Sequence, residues 1–516
     1  MSDALRQAAG QVLASPQVWV VVVCSAAYGI FAGAIPGLTA TMAVALFVPL
    51  AYWLDPIPAL AAVVTMEACA IFAGDIPNAL LRIPGTPASA AYADDAYAFT
   101  RRGHPERPLG VCLLFSAVGG LFGALVLIVV GRQLAKVALW FSVAEYFWLY
   151  LLGLSCAVIV ARGSLLRATS ALLLGLLLST VGLSAVHTQA RFTFGQPELY
   201  QGISFIPAMI GLFGISEVLR NMLALGERPP SGKAAPTAAK PGQGRIRRWA
   251  WQPLAVVLAP AGSLLRRRIP HVLRSGAIGS LVGMLPGAGA DIGAWVSLAA
   301  SKRFSKRPDE YGKGSLEGIG DASAANSAAL AATWIPALVF GIPGDSVTAI
   351  VIGVLLMKNI KPGPEIFEKQ AVLVYSIYLV FILANLVLIP IGLVAVKVGG
   401  FVVRIPKKVL LPVILLFCVV GAYAINGSYF DVWVVLGMGI LGFVLERWSV
   451  PLGPVVLGII LGGPLEERFI QTLTGSDGSL AAFVSRPLAA GLGIACLALW
   501  ASTLALALAP RGTTQP

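Results

Sequence analysis

The chain has 516 residues, of which 57% are hydrophobic and only 12% are charged. Water-soluble domains carry about a quarter of their residues as charged side chains, so this composition excludes an ordinary soluble protein. Apolar runs of about 18 or more residues recur along the chain, and each is long enough to cross the roughly 30 Å hydrocarbon core as a helix. The sequence predicts an all-α polytopic membrane protein with roughly a dozen transmembrane helices, some of them half-length.

The formal net charge of +13 does not indicate a nucleic-acid partner, because the basic residues are concentrated in the loops between apolar runs. The segments 101–107, 226–270 and 301–313 are the most basic. By the positive-inside rule these loops face the cytoplasm, and we expect a multi-pass membrane protein. The six cysteines and three histidines show no metal-ligand or disulfide spacing, so neither a metal centre nor another cofactor is expected.

One stretch has the composition of a linker, GERPPSGKAAPTAAKPGQGRIRR at 226–248. It is rich in Pro, Gly, Ala and Lys, which favours a flexible segment. We therefore divide the chain into an N-terminal transmembrane repeat (1–225), a basic Pro/Gly-rich cytoplasmic linker (226–268) and a C-terminal transmembrane repeat (269–516).

Two kinds of helix-breaking motif occur in the same order in both halves. GAIPG at 33–37 matches GMLPG at 283–287, an offset of 287 − 37 = 250. LLRIPGTPASA at 80–90 matches VFGIPGDSVTA at 339–349, an offset of 344 − 85 = 259. This order predicts two internal repeats, each with Pro-Gly-broken half-helices.

Broken helices at membrane depth have a functional meaning. Unwound backbone survives there only inside protein or beside a water-filled cavity, because lipid cannot satisfy its N–H and C=O groups. Secondary transporters place substrate and coupling ions at such breaks, with the positive N-termini of half-helices directed at anionic groups. We therefore predict a substrate site near the midplane, where the four breaks converge.

The candidate site residues flank these breaks. The predicted substrate-binding residues are Gly37, Thr39, Asn78, Arg82, Pro84, Gly85, Thr86, Ser89, Gly287, Gly289, Asn326, Pro343, Gly344 and Ser346. The predicted coupling-cation residues are Thr41, Asp75, Asp291 and Asp345.

Structural roles compete with these assignments. Asp75 and Arg82 are 82 − 75 = 7 residues apart, about two turns, so on an unbroken helix they share a face and form an ion pair. Alternatively, Arg82 holds a substrate carboxylate in bidentate geometry. Asp75, Asp291 and Asp345 are also placed to cap helices. The Ser and Thr hydroxyls are able to donate hydrogen bonds to carbonyls of their own helix. The Asn amides are able to form hydrogen bonds with a neighbouring helix.

The same segments resemble a known family, the large membrane subunit of the tripartite tricarboxylate transporters (TctA). The strongest likeness lies in GAIPGLTATMAVALFVPL (33–50), RIPGTPASAAYADDAYAFTRRGHPERPLG (82–110), LRSGAIGSLVGMLPGAGADIGAW (273–295) and ANSAALAATWIPALVFGIPGD (325–345). The resemblance implies a permease of the bacterial inner membrane that works with a small membrane subunit (TctB-like) and a periplasmic solute-binding protein (TctC-like). It also implies uptake of tri- or dicarboxylates with Na⁺ or H⁺.

Several positions depart from the family pattern. Asp75 stands where the family commonly has serine, and Arg82 where it usually has asparagine. Ser323 and the pair Asn326-Ser327 replace a glutamate followed by two asparagines, and Ala96 replaces a glycine after Asp95. These changes fall in the predicted site, so they bear on the identity of the substrate.

The sequence thus predicts a secondary transporter and not an enzyme. The alternatives are a passive anion channel and an intramembrane enzyme acting on lipid-linked substrates. The glycine-rich stretch at 279–293 is not a nucleotide site, since no strand precedes it and no Gly-Lys-Ser follows it.

Overall fold

The computed structural model describes residues 2–35, 38–161, 164–184, 189–226, 254–287, 289–402 and 407–508. Within these ranges the chain is almost entirely helical, which confirms the all-α class. A two-residue antiparallel pairing joins Gly182–Leu183 to Ala190–Arg191.

Eight helices in the described part of the chain are long and apolar enough to cross a membrane. They are Pro16–Ala34, Pro56–Leu81, Glu106–Ala138, Val143–Val160, Phe205–Leu223, Leu316–Phe340, Ala371–Gly399 and Tyr429–Arg447. Shorter apolar helices cover Ala40–Trp53, Leu165–Ser179, Ser346–Met357, Leu410–Asn426 and Pro487–Thr503. This confirms a polytopic membrane protein, and the estimate of roughly a dozen crossings stays a prediction.

The remaining helical elements are shorter or more polar. They are Ser2–Leu13, Ala93–Arg101, Leu254–Arg267, Ile269–Gly283, Gly289–Phe304, Ile366–Lys369 and Leu452–Thr474, with short 3₁₀ turns at Ser89–Tyr92, Pro197–Gln201, Pro308–Glu310 and Leu480–Val484. The Phe205–Leu223 span contains a π-helical stretch at Ile210–Ile215.

The predicted linker, 226–268, lies mostly outside the described residues. Residues 227–253 are not described, and Leu254–Arg267 at its C-terminal end is a helix. The prediction of a flexible segment at 226–248 is therefore not addressed by the structure.

The chain divides into two compact units, each built from both sides of the linker. One unit comprises Met1–Ala135 and Ser204–Val444, and the other comprises Lys136–Ile203 and Leu445–Pro516. The predicted N-terminal and C-terminal repeats were defined by similar sequence motifs, and their bounds differ from those of the two compact units. The repeats stay a prediction.

The smaller unit packs the Val143–Val160, Leu165–Ser179, Leu452–Thr474 and Pro487–Leu508 helices together. Gly175 allows the closest approach, since an added Cβ would lie 2.2 Å from the Val455 carbonyl oxygen. Arg191 pairs with both carboxylate oxygens of Glu466, at 2.8 and 2.9 Å.

Two helix pairs in the larger unit pack through glycines in the same way. Pro16–Ala34 packs on Pro56–Ala73, and an added Cβ at Gly29 or Gly33 would lie 2.4 or 2.2 Å from the carbonyl oxygen of Met66 or Ala70. Ile269–Gly283 packs on Leu316–Phe340, and Cβ atoms at Gly279 and Gly283 would lie 2.0 and 2.4 Å from the carbonyl oxygens of Ala325 and Ala329. Only glycine lets the backbones approach this closely.

Candidate functional site

The first Ile-Pro-Gly motif forms a tight turn at the end of the Pro56–Leu81 span. Arg82 is left-handed (φ 59°), and the Ile83 amide bonds the Pro77 carbonyl at 3.4 Å. The chain then folds back on the helix, so that the Gly85 amide donates to the Gly74 carbonyl at 3.1 Å. An added Cβ at Gly85 would lie 2.5 Å from the Gly74 Cα, which explains the glycine.

The second Ile-Pro-Gly motif makes the same turn after Leu316–Phe340. Gly341 is left-handed (φ 69°), and the Ile342 amide bonds the Pro336 carbonyl at 3.2 Å. Gly344 faces Thr333, whose Cα would lie 2.8 Å from an added Cβ. Helices commonly end in this way, with a left-handed residue whose following amides donate to carbonyls of the last turn. These carbonyls would otherwise have no hydrogen-bond partner.

Polar side chains hold the segment after the first turn. Thr86 and Ser89 each donate an amide to the other's hydroxyl at 3.1 Å. Asn78 Nδ2 donates to the Ser89 carbonyl at 2.8 Å. Asn78 is fully buried, and its Oδ1 has no hydrogen-bond partner among the described residues. Pro84 lies in the turn itself and is exposed.

The second Pro-Gly segment lies between two helices and contacts both turns. Ile269–Gly283 ends before it, and Gly289–Phe304 begins after it. Gly287 and Gly289 have φ values of 75° and 68°. The Gly289 amide donates to the Gly344 carbonyl at 3.2 Å, and Asp291 Oδ1 accepts from the Ala88 amide at 2.9 Å.

The corresponding segment of the first half is described only at its edges. Pro16–Ala34 ends before it, and Ala40–Trp53 follows it. Thr39 is the N-cap of the second helix and accepts from the Met42 amide at 3.1 Å. Thr41 lies in the first turn of that helix and is partly exposed. Gly37 lies outside the described residues.

The structure does not pair Asp75 with Arg82, so the ion-pair alternative is wrong. The helix ends at Leu81, and the left-handed Arg82 leaves the helical path on which the two residues would share a face. Arg82 pairs instead with Asp94 at 2.5 Å, and both side chains are more than half exposed. Asp75 is buried and does not cap its helix, because Gly74 holds the N-cap position.

Asp75 belongs to a buried chain of hydrogen bonds. Tyr92 donates its hydroxyl to Asp75 Oδ1 at 2.6 Å, and Ser323 Oγ lies 3.4 Å from the same hydroxyl. The chain links the first Ile-Pro-Gly region to the Leu316–Phe340 helix. Tyr92 was not predicted as a site residue, and Ser323 was named only as a departure from the family pattern within the predicted site.

Asp345 is the N-cap of the Ser346–Met357 helix. Its Oδ1 accepts from the Thr348 amide and the Thr348 hydroxyl, each at 2.8 Å. This is the capping alternative of the sequence analysis. Pro343 precedes it as a buried residue, and Ser346 is the first helical residue and partly exposed.

Two further buried polar side chains lack complete hydrogen bonding, in the interiors of the helices that lead to the turns. Asn326 is 4% exposed and its Oδ1 has no partner among the described residues. Glu67 is 1% exposed, and its Oε2 also has none. Glu67 was missed in the sequence analysis, although it is the one acidic residue in the otherwise apolar run 56–73.

A second region ties the loop before Leu316–Phe340 to the segment after the first turn. Asp95 Oδ1 accepts from the amides of Gly312, Gly314 and Ser315, each at 2.8 Å. The Arg102 guanidinium donates to the Lys313 carbonyl at 2.8 Å. A carboxylate that accepts several backbone N–H groups fixes a loop strongly.

A buried ionic cluster lies at the start of the same helix. Asp321 is fully buried, and its Oδ2 accepts from Arg268 and Arg274 at 2.9 Å and from Ser301 at 2.7 Å. Arg268 also pairs with Glu317 at 2.5 Å. Because every charge has an opposite partner, this cluster serves to anchor the helix ends.

Metal-ligating side chains do not cluster in the described part of the chain. No group there brings together three or more His, Cys, Asp or Glu residues.

Eight apolar helices long enough to cross a bilayer, in the described part of the chain, define a multi-pass membrane protein. The family comparison agrees with this class. Residues 19–457 match the model of the Tripartite tricarboxylate transporter TctA family, so the chain belongs to that family.

Two curated relatives come from Agrobacterium vitis. The "Uncharacterized 52.8 kDa protein in TAR-I ttuC' 3'region" is 33% identical over 474 residues, which cover 91% of this chain and 90% of the relative. The "Uncharacterized protein in TAR-II ttuC' 3'region" is 37% identical over 224 residues, which cover 43% of this chain and 93% of that protein. No solved structure matches the chain.

Proposed function

We propose that this chain is the permease of a carboxylate import system that moves tri- or dicarboxylates by cation symport. It acts as a transporter and not as an enzyme. It receives the carboxylate from a periplasmic solute-binding protein and works with a small membrane subunit. Its place is the bacterial inner membrane, with the 226–268 linker in the cytoplasm. Membership in the tripartite tricarboxylate transporter family supports the transport role and the partner subunits, and the basic residues of the linker support its cytoplasmic side.

The observation that carries the proposal is the meeting of three interrupted segments. Asp291 bonds the backbone of the first Ile-Pro-Gly region at Ala88, and Gly289 bonds the second at Gly344. Irregular backbone from both halves is thus brought together among buried helices. Such backbone offers free N–H and C=O groups to an anion and a cation.

We further infer that the two halves are internal repeats with Pro-Gly-broken half-helices. Gly29 and Gly33 correspond to Gly279 and Gly283 at an offset of 250 (279 − 29), and the carbonyls that they approach correspond at an offset of 259 (325 − 66). The left-handed residues after the two helices also correspond, since 341 − 82 = 259. Matched contacts at the same two offsets as the sequence motifs support a common ancestor for the halves.

Arg82 is the proposed carboxylate ligand of the first turn. Its side chain is 55% exposed and its present partner, Asp94, is 57% exposed. Exposed ion pairs of this kind contribute about 0–1 kcal/mol, so a substrate carboxylate is able to displace Asp94. The planar guanidinium then binds the carboxylate through two parallel hydrogen bonds.

The proposal is tested by transport in proteoliposomes. The chain is reconstituted with its small membrane subunit and supplied with the solute-binding protein and a labelled panel of di- and tricarboxylates, with and without inward Na⁺ or H⁺ gradients. We expect accumulation of at least one acid only when a cation gradient and the binding protein are both present. Equilibration without accumulation would favour the passive channel, and no carboxylate flux under any gradient would reject the proposed substrate class.

A further inference from the structure

Asp75 is a buried carboxyl group whose hydrogen-bond partner is uncharged. It is 3% exposed, and its Oδ1 accepts from the Tyr92 hydroxyl at 2.6 Å. No basic side chain of the described residues lies within ion-pair distance of it. The buried Asp321, in contrast, pairs with Arg268 and Arg274 at 2.9 Å. A carboxylate removed from water without a positive partner is unfavourable, and binding a proton removes that cost.

The Tyr92 hydroxyl is able to serve both protonation states of Asp75. A phenol titrates at about pH 10 in water, so Tyr92 keeps its proton at neutral pH. It donates to the carboxylate when Asp75 is ionised. When Asp75 is protonated, the carboxyl group donates to the Tyr92 oxygen, and the Tyr92 O–H turns to Ser323 Oγ, 3.4 Å away. Asp75 therefore stays hydrogen-bonded whether it is ionised or protonated.

The titratable groups around Asp75 do not supply a positive charge. The Cys112 thiol interacts with it beside Tyr92, and Arg82 pairs with Asp94 instead. The other titratable residues on the elements packed against the Asp75–Leu81 helix, and on the helix of Ser323, make no hydrogen bond or ion pair with Asp75. They are Cys24, Tyr28, Glu67, Cys69, Asp95, Tyr97, Arg101, Glu317, Asp321, Tyr375, Tyr378 and Lys397.

Asp75 lies where the first Ile-Pro-Gly turn folds back on its helix. It directly follows Gly74, whose carbonyl accepts from the Gly85 amide at 3.1 Å. About one turn further along the same helix, Asn78 donates to the Ser89 carbonyl at 2.8 Å. Asp75 and Asn78 thus hold the two ends of the 3₁₀ turn that follows the motif. The charge of Asp75 therefore acts on the segment that carries the proposed substrate site.

We propose that Asp75 is the residue that binds the coupling proton, with Tyr92 and Ser323 as the hydrogen-bond partners that accommodate both of its states. This inference rests on the proposed symport and names its cation and the residue that carries it. A proton from the outer aqueous phase forms an O–H bond with the Asp75 carboxylate. The same bond breaks when the proton leaves to the cytoplasm, and no other covalent bond changes. Protonation removes a negative charge beside the turn, so a carboxylate substrate approaches without like-charge repulsion.

The test compares a neutral isostere of Asp75 with a matched control. Asp75→Asn removes the charge and keeps an oxygen that accepts from Tyr92, so a merely structural role predicts normal transport. Asp431→Asn is the control, because Asp431 is also 3% exposed and also accepts from an uncharged partner, Asn426 Nδ2, at 2.6 Å. Each is assayed for accumulation driven by a proton gradient, and for exchange of labelled carboxylate across vesicles without a gradient, over a range of pH.

We expect Asp75→Asn to lose accumulation and to exchange equally well at every pH. Exchange by the wild type and by Asp431→Asn should fall as the pH rises, because the ionised Asp75 repels the substrate. Tyr92→Phe should keep exchange to a higher pH than the wild type, since the carboxylate loses its donor and binds its proton more tightly.

Three transport results would overturn the inference. One is accumulation by Asp75→Asn at the wild-type level under a proton gradient. Another is wild-type accumulation that follows a Na⁺ gradient alone at every pH. The third is loss of exchange as well as accumulation in Asp75→Asn with an unchanged melting temperature, which would place Asp75 in the substrate site.

An infrared measurement separates this inference from the proposed function, because it needs no substrate. A protonated carboxyl group has a C=O stretching band that the carboxylate lacks, and spectra of the purified full-length chain are compared between low and high pH. We expect the wild type and Asp431→Asn to share one such band that disappears as the pH rises. The band should be missing from Asp75→Asn and shifted in Tyr92→Phe. That result would support the site even if the wild type transports no carboxylate, whereas identical pH-difference spectra of the wild type and Asp75→Asn would reject it.

Discussion

The Asp291 carboxylate accepts a hydrogen bond from the Ala88 amide at 2.9 Å, across 203 residues of sequence. The bond joins the helix after the second Pro-Gly motif to the segment after the first Ile-Pro-Gly motif. The Trp295 indole reinforces it by donating to the Pro87 carbonyl at 3.0 Å. Two motifs that are far apart in the chain are therefore held together by side chains of one segment that bind backbone groups of the other.

Asp291 was predicted as a cation ligand, and its bond to Ala88 permits a test that separates charge from hydrogen bonding. Asp291→Asn keeps an oxygen that accepts from the Ala88 amide, whereas Asp291→Ala leaves that buried amide unpaired. We expect Asp291→Ala to lower the free energy of unfolding by about 1–3 kcal/mol and Asp291→Asn to lower it less, as measured by thermal unfolding in detergent. Equal destabilisation by both would mean that the charge, and not the bond, matters for the fold.

The close contact of each Ile-Pro-Gly turn with its helix predicts strong sensitivity to one added methyl group. Gly85→Ala would place a Cβ 2.5 Å from the Gly74 Cα, and Gly344→Ala would place one 2.8 Å from the Thr333 Cα. Because backbone must move in both cases, we expect each to cost about 1–3 kcal/mol or more.

Gly437→Ala is the matched control for these two changes. Gly437 lies in the Tyr429–Arg447 helix, and an added Cβ there would meet nothing within 4 Å. Alanine favours helix over glycine by about 1 kcal/mol, so this change should leave the melting temperature equal or higher. If the melting temperatures of Gly85→Ala and Gly344→Ala equal that of Gly437→Ala, the close contacts at the two turns do not contribute to the stability of the protein.

The sequence was sufficient to predict the class and the family. Apolar runs reflect the thickness of the bilayer directly, and the Pro-Gly and Ile-Pro-Gly motifs indicate where helices end. The turn after each Ile-Pro-Gly helix and the cap at Asp345 follow from local residue types.

Partners that are distant in sequence were not predictable in the same way. The seven-residue separation of Asp75 and Arg82 predicted an ion pair on one face of an unbroken helix. The helix instead ends before Arg82, whose left-handed conformation directs its side chain to Asp94. Glu67 was overlooked because its burial depends on the packing of several helices, which the sequence does not show. The roles of Gly37 and the other predicted ligands toward substrate and cation stay predictions.

The left-handed backbone of Arg82 makes glycine its most informative replacement. Glycine adopts φ 59° without strain, and Gly341 holds the corresponding place after the second helix. Arg82→Gly should therefore keep or slightly raise stability while it removes the guanidinium. We expect it to abolish uptake of the preferred carboxylate in proteoliposomes.

Asp94→Asn provides the control for Arg82→Gly. It removes the exposed partner of Arg82 and frees the guanidinium for substrate, so we expect uptake to persist with equal or higher affinity. Uptake by Arg82→Gly at the wild-type rate would assign Arg82 to the surface ion pair alone.

Asp95 fixes the loop before Leu316–Phe340 through three backbone amides, and this predicts a local change in protease sensitivity. Asp95→Ala leaves those amides without their acceptor, while Asp95→Asn keeps one oxygen in place. We expect trypsin to cleave after Lys313 at least roughly tenfold faster in Asp95→Ala, because about 1.4 kcal/mol of lost loop stability is enough for that factor. Cleavage after Lys306, whose neighbours make no bond to Asp95, serves as the internal standard. A parallel increase at both lysines would show that the variant unfolds more widely, and no increase at Lys313 would mean that the Arg102 contact to its carbonyl suffices to hold the loop.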